Sequence, residues 1–373
     1  MHILLLTSSY KSEFNTVSAL FFRDQALALK NNKCQVGVLC PLPISFKSVW
    51  IRKSIAFKDE EYDDNGIYTY VSPFLSIPKS FERSQKIRFR LGKQMFEKYI
   101  IKNGKPDIIH VHSFLIGELA LWIKEKYSVP FVVTEHSSGF FRKVYSQKTI
   151  NFAKTIYSNS KACIAVSEQF CKLLTDLFNI SFKYIPNVVD TSFFTLREKS
   201  DRDEYVFLNI GHLDEKKNQA ELIRAFSNQF KGNQKYQLKI VGQGVDFDTL
   251  RNLIDELEIY NQVHLLGKKS REEVKEIIQK SDCFVLASRF ETFGVVLIEA
   301  MSCGLSVLST KSGGPESIIT DDKLGMLCEH DELEKGFIEM TKKKFDSKLI
   351  RDYVLDHFSE EVVAHKLIQV YNE

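Results

Sequence analysis

The alternation of short apolar runs with amphipathic helical segments constrains the fold of this chain more than any other feature. In the first half, apolar runs such as residues 3–7 and 108–112 are separated by helical patterns. The alternation starts again at Tyr205 and continues to an apolar run at residues 283–287. Short apolar runs between helices are typical of buried parallel strands. The pattern therefore predicts an α/β fold with two Rossmann-like, doubly wound parallel sheets.

The length of 373 residues favours two domains. The best candidate linker is Ile185-Pro-Asn-Val-Val-Asp190, which is followed by a polar stretch. We predict a first domain over residues 1–188, a second over 189–357, and a helix near 358–373 that packs back on the first. Because such sheets bind ligands beyond the carboxyl ends of their strands, the domains are expected to face each other across a ligand-binding cleft.

Several classes of protein do not fit this sequence. No apolar run approaches the roughly 20 residues that span a bilayer, and the run at residues 1–6 is too short for a signal peptide. The seven scattered cysteines are typical of reduced core residues in a cytoplasmic protein. Neither a Cys-x-x-Cys nor a His-Glu-x-x-His motif occurs, so we expect no metal site and no cofactor.

The net charge of +3 conceals a difference between the two halves. Residues 1–188 contain 26 Lys+Arg and 15 Asp+Glu, for +11, whereas the remainder contains 25 and 33, for −8. Much of the excess lies in residues 79–105, where basic and aromatic side chains alternate. Such a helix can contact anionic lipid, or it can be an ordinary solvated helix face. No nucleic-acid motif occurs, so no nucleic-acid partner is expected.

Two glutamates, Glu291 and Glu299, flank a turn that leads from a predicted strand into a helix ending at Gly304. At 1.5 Å rise per residue they stand about 12 Å apart, which is the reach of a nucleotide sugar. One carboxylate can accept hydrogen bonds from a sugar and the other from a ribose. The diphosphate then lies on the first amides of the helix, those of Gly294, Val295 and Val296. The alternative is a pair of solvated glutamates.

Other candidate residues also follow predicted strands. In the turn Gly211-His-Leu-Asp-Glu-Lys-Lys217, Lys217 can stabilise a leaving diphosphate, although it can also be a surface lysine. Gly242-Gln-Gly244 lacks the third glycine of a dinucleotide fingerprint, since Phe247 occupies that position, which argues against a dehydrogenase. His136 can hydrogen-bond a sugar hydroxyl or be a structural histidine. His110 and His112 alternate along a strand, point the same way and are interpreted as mainly structural.

Together these motifs resemble the family 4 retaining glycosyltransferases of the GT-B fold, the glycosyl transferases group 1, over nearly the whole chain. The matching pieces are Pro106-Asp-Ile-Ile-His-Val-His112, Ile185-Pro-Asn-Val-Val-Asp190, residues 211–217, Val241-Gly-Gln-Gly244, residues 291–304 and Gly313-Gly-Pro-Glu316. The resemblance implies that His136, Glu291 and Lys217 are catalytic and that Asn15 and Thr16 lie on the acceptor side. It places the donor on Gly211, His212, Lys217, Gly242, Phe293, Gly294, Val295, Val296 and Glu299.

The resemblance also implies an activity. We expect a metal-independent, retaining hexosyltransferase that uses a UDP or GDP sugar and needs no protein nucleophile. Its acceptor is expected to be a glycan or lipid-linked glycan in cell-surface polysaccharide synthesis. The expected location is the cytoplasm, with peripheral contact at the inner face of the plasma membrane.

Two departures from the family pattern leave alternatives open. His212 stands where the family usually has arginine, and the loop containing Asn15 and Thr16 lacks the usual glycine pair. A nucleotide-sugar-binding partner subunit without turnover is therefore one alternative. A GT-B nucleotide-sugar epimerase is another, although that class generally lacks the Glu-x7-Glu segment.

Overall fold

The computed structural model describes residues 1–12, 20–45, 57–77, 81–196 and 202–373. Asn15 and Thr16, predicted on the acceptor side, lie outside these ranges. The chain forms two compact units. The first comprises Met1–Val166, Phe170–Val188 and Glu360–Glu373, and the second comprises Ser167–Gln169 and Val189–Ser359.

The first unit is built on a sheet of eight strands within the described residues. The strand order is β3-β4-β2-β1-β5-β6-β7-β8, and β3 alone among them runs antiparallel to its neighbour. The strands are β1 His2–Leu6, β2 Gln35–Ile44, β3 Glu60–Asp63, β4 Tyr68–Leu75, β5 Ile108–His112, β6 Phe131–Glu135, β7 Ala162–Ala165 and β8 Phe182–Tyr184.

Helices cover this sheet, and the last helix of the chain is one of them. They are α1 Leu20–Asn31, α2 Phe81–Asn103, α3 Gly117–Tyr127, α4 Gln147–Asn159, α5 Glu168–Phe178 and α12 Glu360–Asn372. Val363, Leu367 and Val370 of α12 are buried in the core with β1 and α1. Tyr371 anchors the end of α12, because its hydroxyl lies 2.6 Å from Nδ1 of His110 on β5.

The apolar run Gln35–Cys40 predicts a strand, and β2 extends four residues beyond it to Ile44, although Pro41 and Pro43 lie in the extension. The amide of Thr7 donates to the carbonyl of Leu39, so the backbone groups of Leu39 are directed toward β1. Pro41 and Pro43 lie two and four positions further along, and their backbone nitrogens are directed to the same side. The last register pair of β1 is Leu6 with Leu39. The missing N–H groups of both prolines therefore point to the side on which β1 has already ended at Leu6, and pairing with β4 is preserved.

The second unit contains six parallel strands in its described residues, in the order β11-β10-β9-β12-β13-β14. The strands are β9 Tyr205–Ile210, β10 Tyr236–Val241, β11 Val263–Gly267, β12 Cys283–Leu286, β13 Ser306–Thr310 and β14 Gly325–Cys328. The helices are α6 Gln219–Phe230, α7 Phe247–Glu256, α8 Arg271–Gln279, α9 Val295–Ser302, α10 Leu333–Lys342 and α11 Ser347–Phe358. A separate core is centred on Phe207, Phe226, Phe230 and Phe337.

The prediction of two parallel-sheet α/β units is therefore confirmed. Within the described residues, no helix is both long enough and apolar enough to cross a bilayer. The seven cysteines, all of which are described, form no disulfide.

Candidate functional site

In the second unit, the structure brings together Lys217 and Glu291, which lie 74 positions apart in sequence. The Lys217 Nζ atom lies 2.5 Å from Oε2 of Glu291, and the two side chains are 23% and 15% exposed. Lys217 precedes α6 and Glu291 follows β12. A cation and a carboxylate thus share a partly desolvated position beyond the carboxyl ends of β9 and β12.

The turn that carries Lys217 is held by Asp214. Its Oδ1 atom accepts hydrogen bonds from the amides of Lys216 and Lys217, at 3.1 and 3.2 Å, and its carbonyl also accepts from the Lys217 amide. The amide of Arg289 then donates to the carbonyl of Lys216, at 2.8 Å, and fastens this turn to the segment after β12. The backbone therefore fixes the position from which the Lys217 side chain extends.

Glycines allow the turns after β9 and β10 to pack in direct backbone contact. A Cβ atom on Gly242 would lie 1.8 Å from the carbonyl oxygen of Gly211, and one on Gly244 would lie 2.0 Å from that of Leu213. No side chain fits at either distance. The predicted donor residues Gly211 and Gly242 are thus adjacent in space.

A glycine also controls the turn that carries Glu291. Gly294 precedes α9 with φ 101°, a conformation that side chains disfavour. A Cβ atom on Gly314 would lie 2.4 Å from the backbone N and Cα of Phe293. The amide of Glu291 donates to the carbonyl of Ser312, at 2.9 Å. The segment around Phe293 is therefore locked against the turn after β13.

The remaining predicted donor residues lie around the start of α9 or in the Gly211 turn. Val295, Val296 and Glu299 are half-buried on α9, whose first amides are oriented out of the helix. His212 is exposed, and its carbonyl accepts from Gln219 at 3.1 Å. Ser288 begins the stretch that the sequence singles out after the β12 apolar run. Its hydroxyl is buried without a hydrogen-bond partner, which the sequence did not predict.

In the first unit, Glu135 organises the loop that carries His136. This fully buried carboxylate accepts from the amides of His136 and Ser137, at 2.9 and 2.8 Å, through one oxygen. Its other oxygen accepts from the Phe114 amide, at 3.0 Å, and the Tyr157 hydroxyl, at 2.7 Å. The sequence places Glu135 at the start of the candidate segment 135–139, but it does not predict these partners, because a carboxylate that ends a strand gives no sign of them.

The three histidines at the ends of β5 and β6 form a connected group. The rings of His110 and His112 stack at 4.3 Å between centroids, as their alternation along β5 predicts. His112 Nδ1 lies 3.1 Å from His136 Nε2, so one proton is shared between the two rings. Burial lowers the pKa of His136 to about 3, and burial, with a smaller effect of His136, lowers that of His110 to about 3. Both histidines are therefore neutral near pH 7.

No group of three or more His, Cys, Asp or Glu side chains in the described part of the chain is placed to hold a metal ion. The second unit carries a lysine–carboxylate pair beside helix-terminal amides and glycine turns, and the first unit, taken by itself, carries a group of neutral histidines.

Two parallel-sheet α/β units are the architecture of the GT-B glycosyltransferases. Residues 20–193 match the model of Glycosyltransferase Family 4, and residues 192–351 match that of Glycosyl transferases group 1. The chain belongs to this group 1 and family 4 type of glycosyltransferase, which acts on nucleotide sugars.

Two relatives and one solved structure illustrate the similarity. The chain is 29% identical over 296 residues to N-acetylgalactosamine-N,N'-diacetylbacillosaminyl-diphospho-undecaprenol 4-alpha-N-acetylgalactosaminyltransferase of Campylobacter jejuni, covering 75% of each chain. It is 26% identical over 346 residues to the phosphatidylinositol N-acetylglucosaminyltransferase GPI3 subunit of Saccharomyces cerevisiae, covering 85% of this chain and 74% of that one. Sucrose-phosphate synthase of Thermosynechococcus elongatus shares the fold, with a TM-score of 0.80, 20% identity and coverage of 100% and 98%.

Proposed function

We propose that this glycosyltransferase is a retaining, metal-independent hexosyltransferase that needs no cofactor. The donor is a UDP or GDP hexose, and the acceptor is a glycan or lipid-linked glycan in cell-surface polysaccharide synthesis. The observation that carries the proposal is the Lys217–Glu291 pair beside the start of α9. A cation for a diphosphate and a carboxylate for sugar hydroxyls are thereby held in one place.

Each donor group has a counterpart among the described residues. Lys217 and the first amides of α9 bind the diphosphate, and Glu299 accepts hydrogen bonds from the ribose hydroxyls. Glu291, with the Phe293–Gly294 backbone, binds the hexose. Because negative charge grows on the diphosphate as its bond to the sugar breaks, Lys217 stabilises the transition state more than the ground state.

The chemical step requires no protein nucleophile. The bond between the hexose C1 and the diphosphate oxygen breaks while the acceptor hydroxyl oxygen bonds to C1 on the same face. The acceptor proton passes to the leaving phosphate oxygen. His136 hydrogen-bonds a sugar hydroxyl as a neutral imidazole, since a pKa of about 3 makes it a weak proton acceptor.

The names of the two relatives favour a phosphate-bearing lipid acceptor. One name contains diphospho-undecaprenol and the other contains phosphatidylinositol. A lipid acceptor implies work at the inner face of the plasma membrane, and exposed basic side chains of α2, such as Arg83 and Lys86, offer contact with anionic lipid.

The proposal is tested with radiolabelled UDP and GDP hexoses, each incubated with and without lipid-extract acceptors in EDTA. We expect one donor to be consumed and label to appear in an acceptor product that keeps the donor's anomeric configuration. An inverted product or loss of activity in EDTA would overturn the corresponding part of the proposal.

A second candidate is a nucleotide-sugar-binding partner subunit without turnover. It is favoured by His212, which is exposed and occupies the position where the family usually has arginine. Donor binding without hydrolysis or transfer on any acceptor would support this second candidate.

A further inference from the structure

Arg88 in α2 is a buried cation without a carboxylate partner. Its side chain is part of a residue only 9% exposed, and no Asp or Glu in the described ranges forms an ion pair with it. Burying an unpaired charge is costly, and arginine is almost never fully buried without a partner. Burial lowers the pKa of Arg88 to about 10, so the guanidinium still carries its charge near pH 7.

The hydrogen bonds of Arg88 use only one corner of its guanidinium. Nη1 donates to Oε1 of Gln85, at 2.7 Å, and to the carbonyl of Leu115, at 3.0 Å. Nε is buried and has no partner, and Nη2 makes no hydrogen bond to the described residues. The Nε–Nη2 edge is the two-donor fork that matches the two oxygens of a phosphoryl or carboxylate group.

A second orphan donor lies beside this fork. Nε2 of Gln85 is buried without a partner, while its Oε1 atom is fixed by Arg88. The ring of Phe74 packs 5.8 Å from the guanidinium carbon and shields it from water. Buried donors that lack partners are rare in native structures and indicate an absent ligand or water.

The position of Arg88 is at the carboxyl edge of the first sheet. Leu115 lies in the 3₁₀ turn Phe114–Ile116 directly after β5, and Phe74 lies near the end of β4. Ser113, at the start of that turn, has φ 75° and a buried hydroxyl without a partner. Strained residues of this kind cluster at ligand-binding sites. Parallel sheets bind their ligands at this edge.

We propose that Arg88, with Gln85, binds an oxyanion of the acceptor substrate, either a phosphoryl or a carboxylate group. This inference rests on the proposed function, in which the first unit binds the acceptor. The oxyanion sheds water to reach the nearly enclosed guanidinium, and its two oxygens accept from Nε and Nη2. The site therefore selects acceptors that carry a negative group.

The first experiment measures binding by calorimetry with saturating UDP or GDP present, using methyl phosphate and acetate as probes. We expect binding to the wild type and an affinity about 10- to 100-fold lower in Arg88→Gln. Arg88→Lys, which keeps the charge but lacks the fork, is expected to lie between them. Arg90→Gln is the matched control, because Arg90 is exposed two residues further along α2.

Binding of methyl phosphate alone identifies a phosphoryl group, and binding of acetate alone identifies a carboxylate. Equal affinity in wild type and Arg88→Gln, or no binding of either probe, overturns the oxyanion site. Arg88 would then only donate a structural hydrogen bond to the carbonyl of Leu115. Circular dichroism and melting temperature establish that Arg88→Gln is folded. Failure of UDP and GDP to bind would count against the proposed function and not against Arg88.

A second experiment tests whether the oxyanion belongs to the acceptor. In the transfer assay, the probe that binds is expected to compete with the acceptor and not with the nucleotide sugar. Arg88→Gln is expected to raise the acceptor KM at least 10-fold, with a smaller effect on kcat. Competition with the donor would overturn the assignment, and so would equal losses of kcat and kcat/KM, because an unchanged KM would mean that Arg88 does not bind the acceptor in the ground state.

Discussion

Replacing Glu291 by glutamine is expected to tighten nucleoside-diphosphate binding while it slows transfer. In the structure, the ammonium of Lys217 is engaged by the Glu291 carboxylate at 2.5 Å. In the proposed complex the same ammonium contacts the diphosphate, so the carboxylate competes with the ligand for it. Glutamine keeps the shape of the side chain but removes its charge.

The size of the effect follows from the geometry of the pair. Unit charges at 4 Å interact by about 4 kcal/mol at an effective dielectric constant of 20. Desolvation and side-chain entropy offset most of this in a pair that is 23% and 15% exposed. We therefore expect Glu291→Gln to make nucleotide binding more favourable by about 1.4 kcal/mol, which corresponds to a tenfold lower Kd for UDP or GDP. The rate is expected to fall about 10²- to 10³-fold, as when one stabilising polar group is removed from an active site.

Calorimetry with UDP and GDP and steady-state kinetics with the hexose donor provide the test. Lys217→Met is expected to weaken nucleotide binding and to slow transfer. Lys216→Met is the matched control, because Lys216 pairs with Asp214 and points elsewhere. If Glu291→Gln weakens nucleotide binding as much as Lys217→Met does, the two side chains do not compete, and the reasoning is refuted.

Three further predictions concern packing, pH and the ribose. Gly314→Ala places a Cβ 2.4 Å from the Phe293 backbone, so we expect the free energy of unfolding to fall by about 1–3 kcal/mol and nucleotide binding to weaken. An unchanged melting temperature and an unchanged Kd would contradict this prediction. The pKa of His110 is about 3 when folded and about 6.5 when unfolded, so stability is lost as pH falls below 6.5, by about 1.4 kcal/mol at pH 5.5. Urea unfolding at pH 7.5 and 5.5 measures this loss. The free energy of unfolding of His110→Gln should fall by about 1.4 kcal/mol less than that of the wild type, and an equal fall in both proteins would refute the prediction. Glu299→Ala should raise the Kd for UDP or GDP about tenfold with little change for the diphosphate analogue methylenediphosphonate, and equal losses for both ligands would argue against a ribose contact.

The sequence predicted the strands that are buried between two neighbours. The runs Ile108–His112 and Phe131–Glu135 coincide with β5 and β6, because a strand covered on both faces is largely apolar. Strand β4 was missed, since Pro73 and polar residues interrupt it. Whether a proline is tolerated depends on which side of the strand has a neighbour, and that is a property of the sheet rather than of the strand.

The sequence indicates the turns of the candidate site but not how their side chains pair. Glycine turns and the Glu291–Glu299 spacing predict where a donor would lie, because turn geometry is encoded locally, and that donor position stays a prediction. The contact between Lys217 and Glu291 joins distant segments, and no local pattern indicates it. Arg88 was hidden for a similar reason, since a basic helix does not reveal which of its cations is turned inward.

Three carboxylates to which the sequence analysis gives no role of their own accept hydrogen bonds from backbone amides. Asp214 accepts from the Lys217 turn, Glu135 from the His136 loop, and Glu316 from the amide of Gly313 at 3.0 Å. A carboxylate accepts strong hydrogen bonds from such amides. Little further conformational entropy of the backbone is lost, because the end of the neighbouring strand already orders these amides. Because misplacement of a reacting group by about 1 Å can cost about 10²-fold in rate, the positions that Asp214 and Glu135 give to the Lys217 turn and the His136 loop bear on the rate of the proposed transfer.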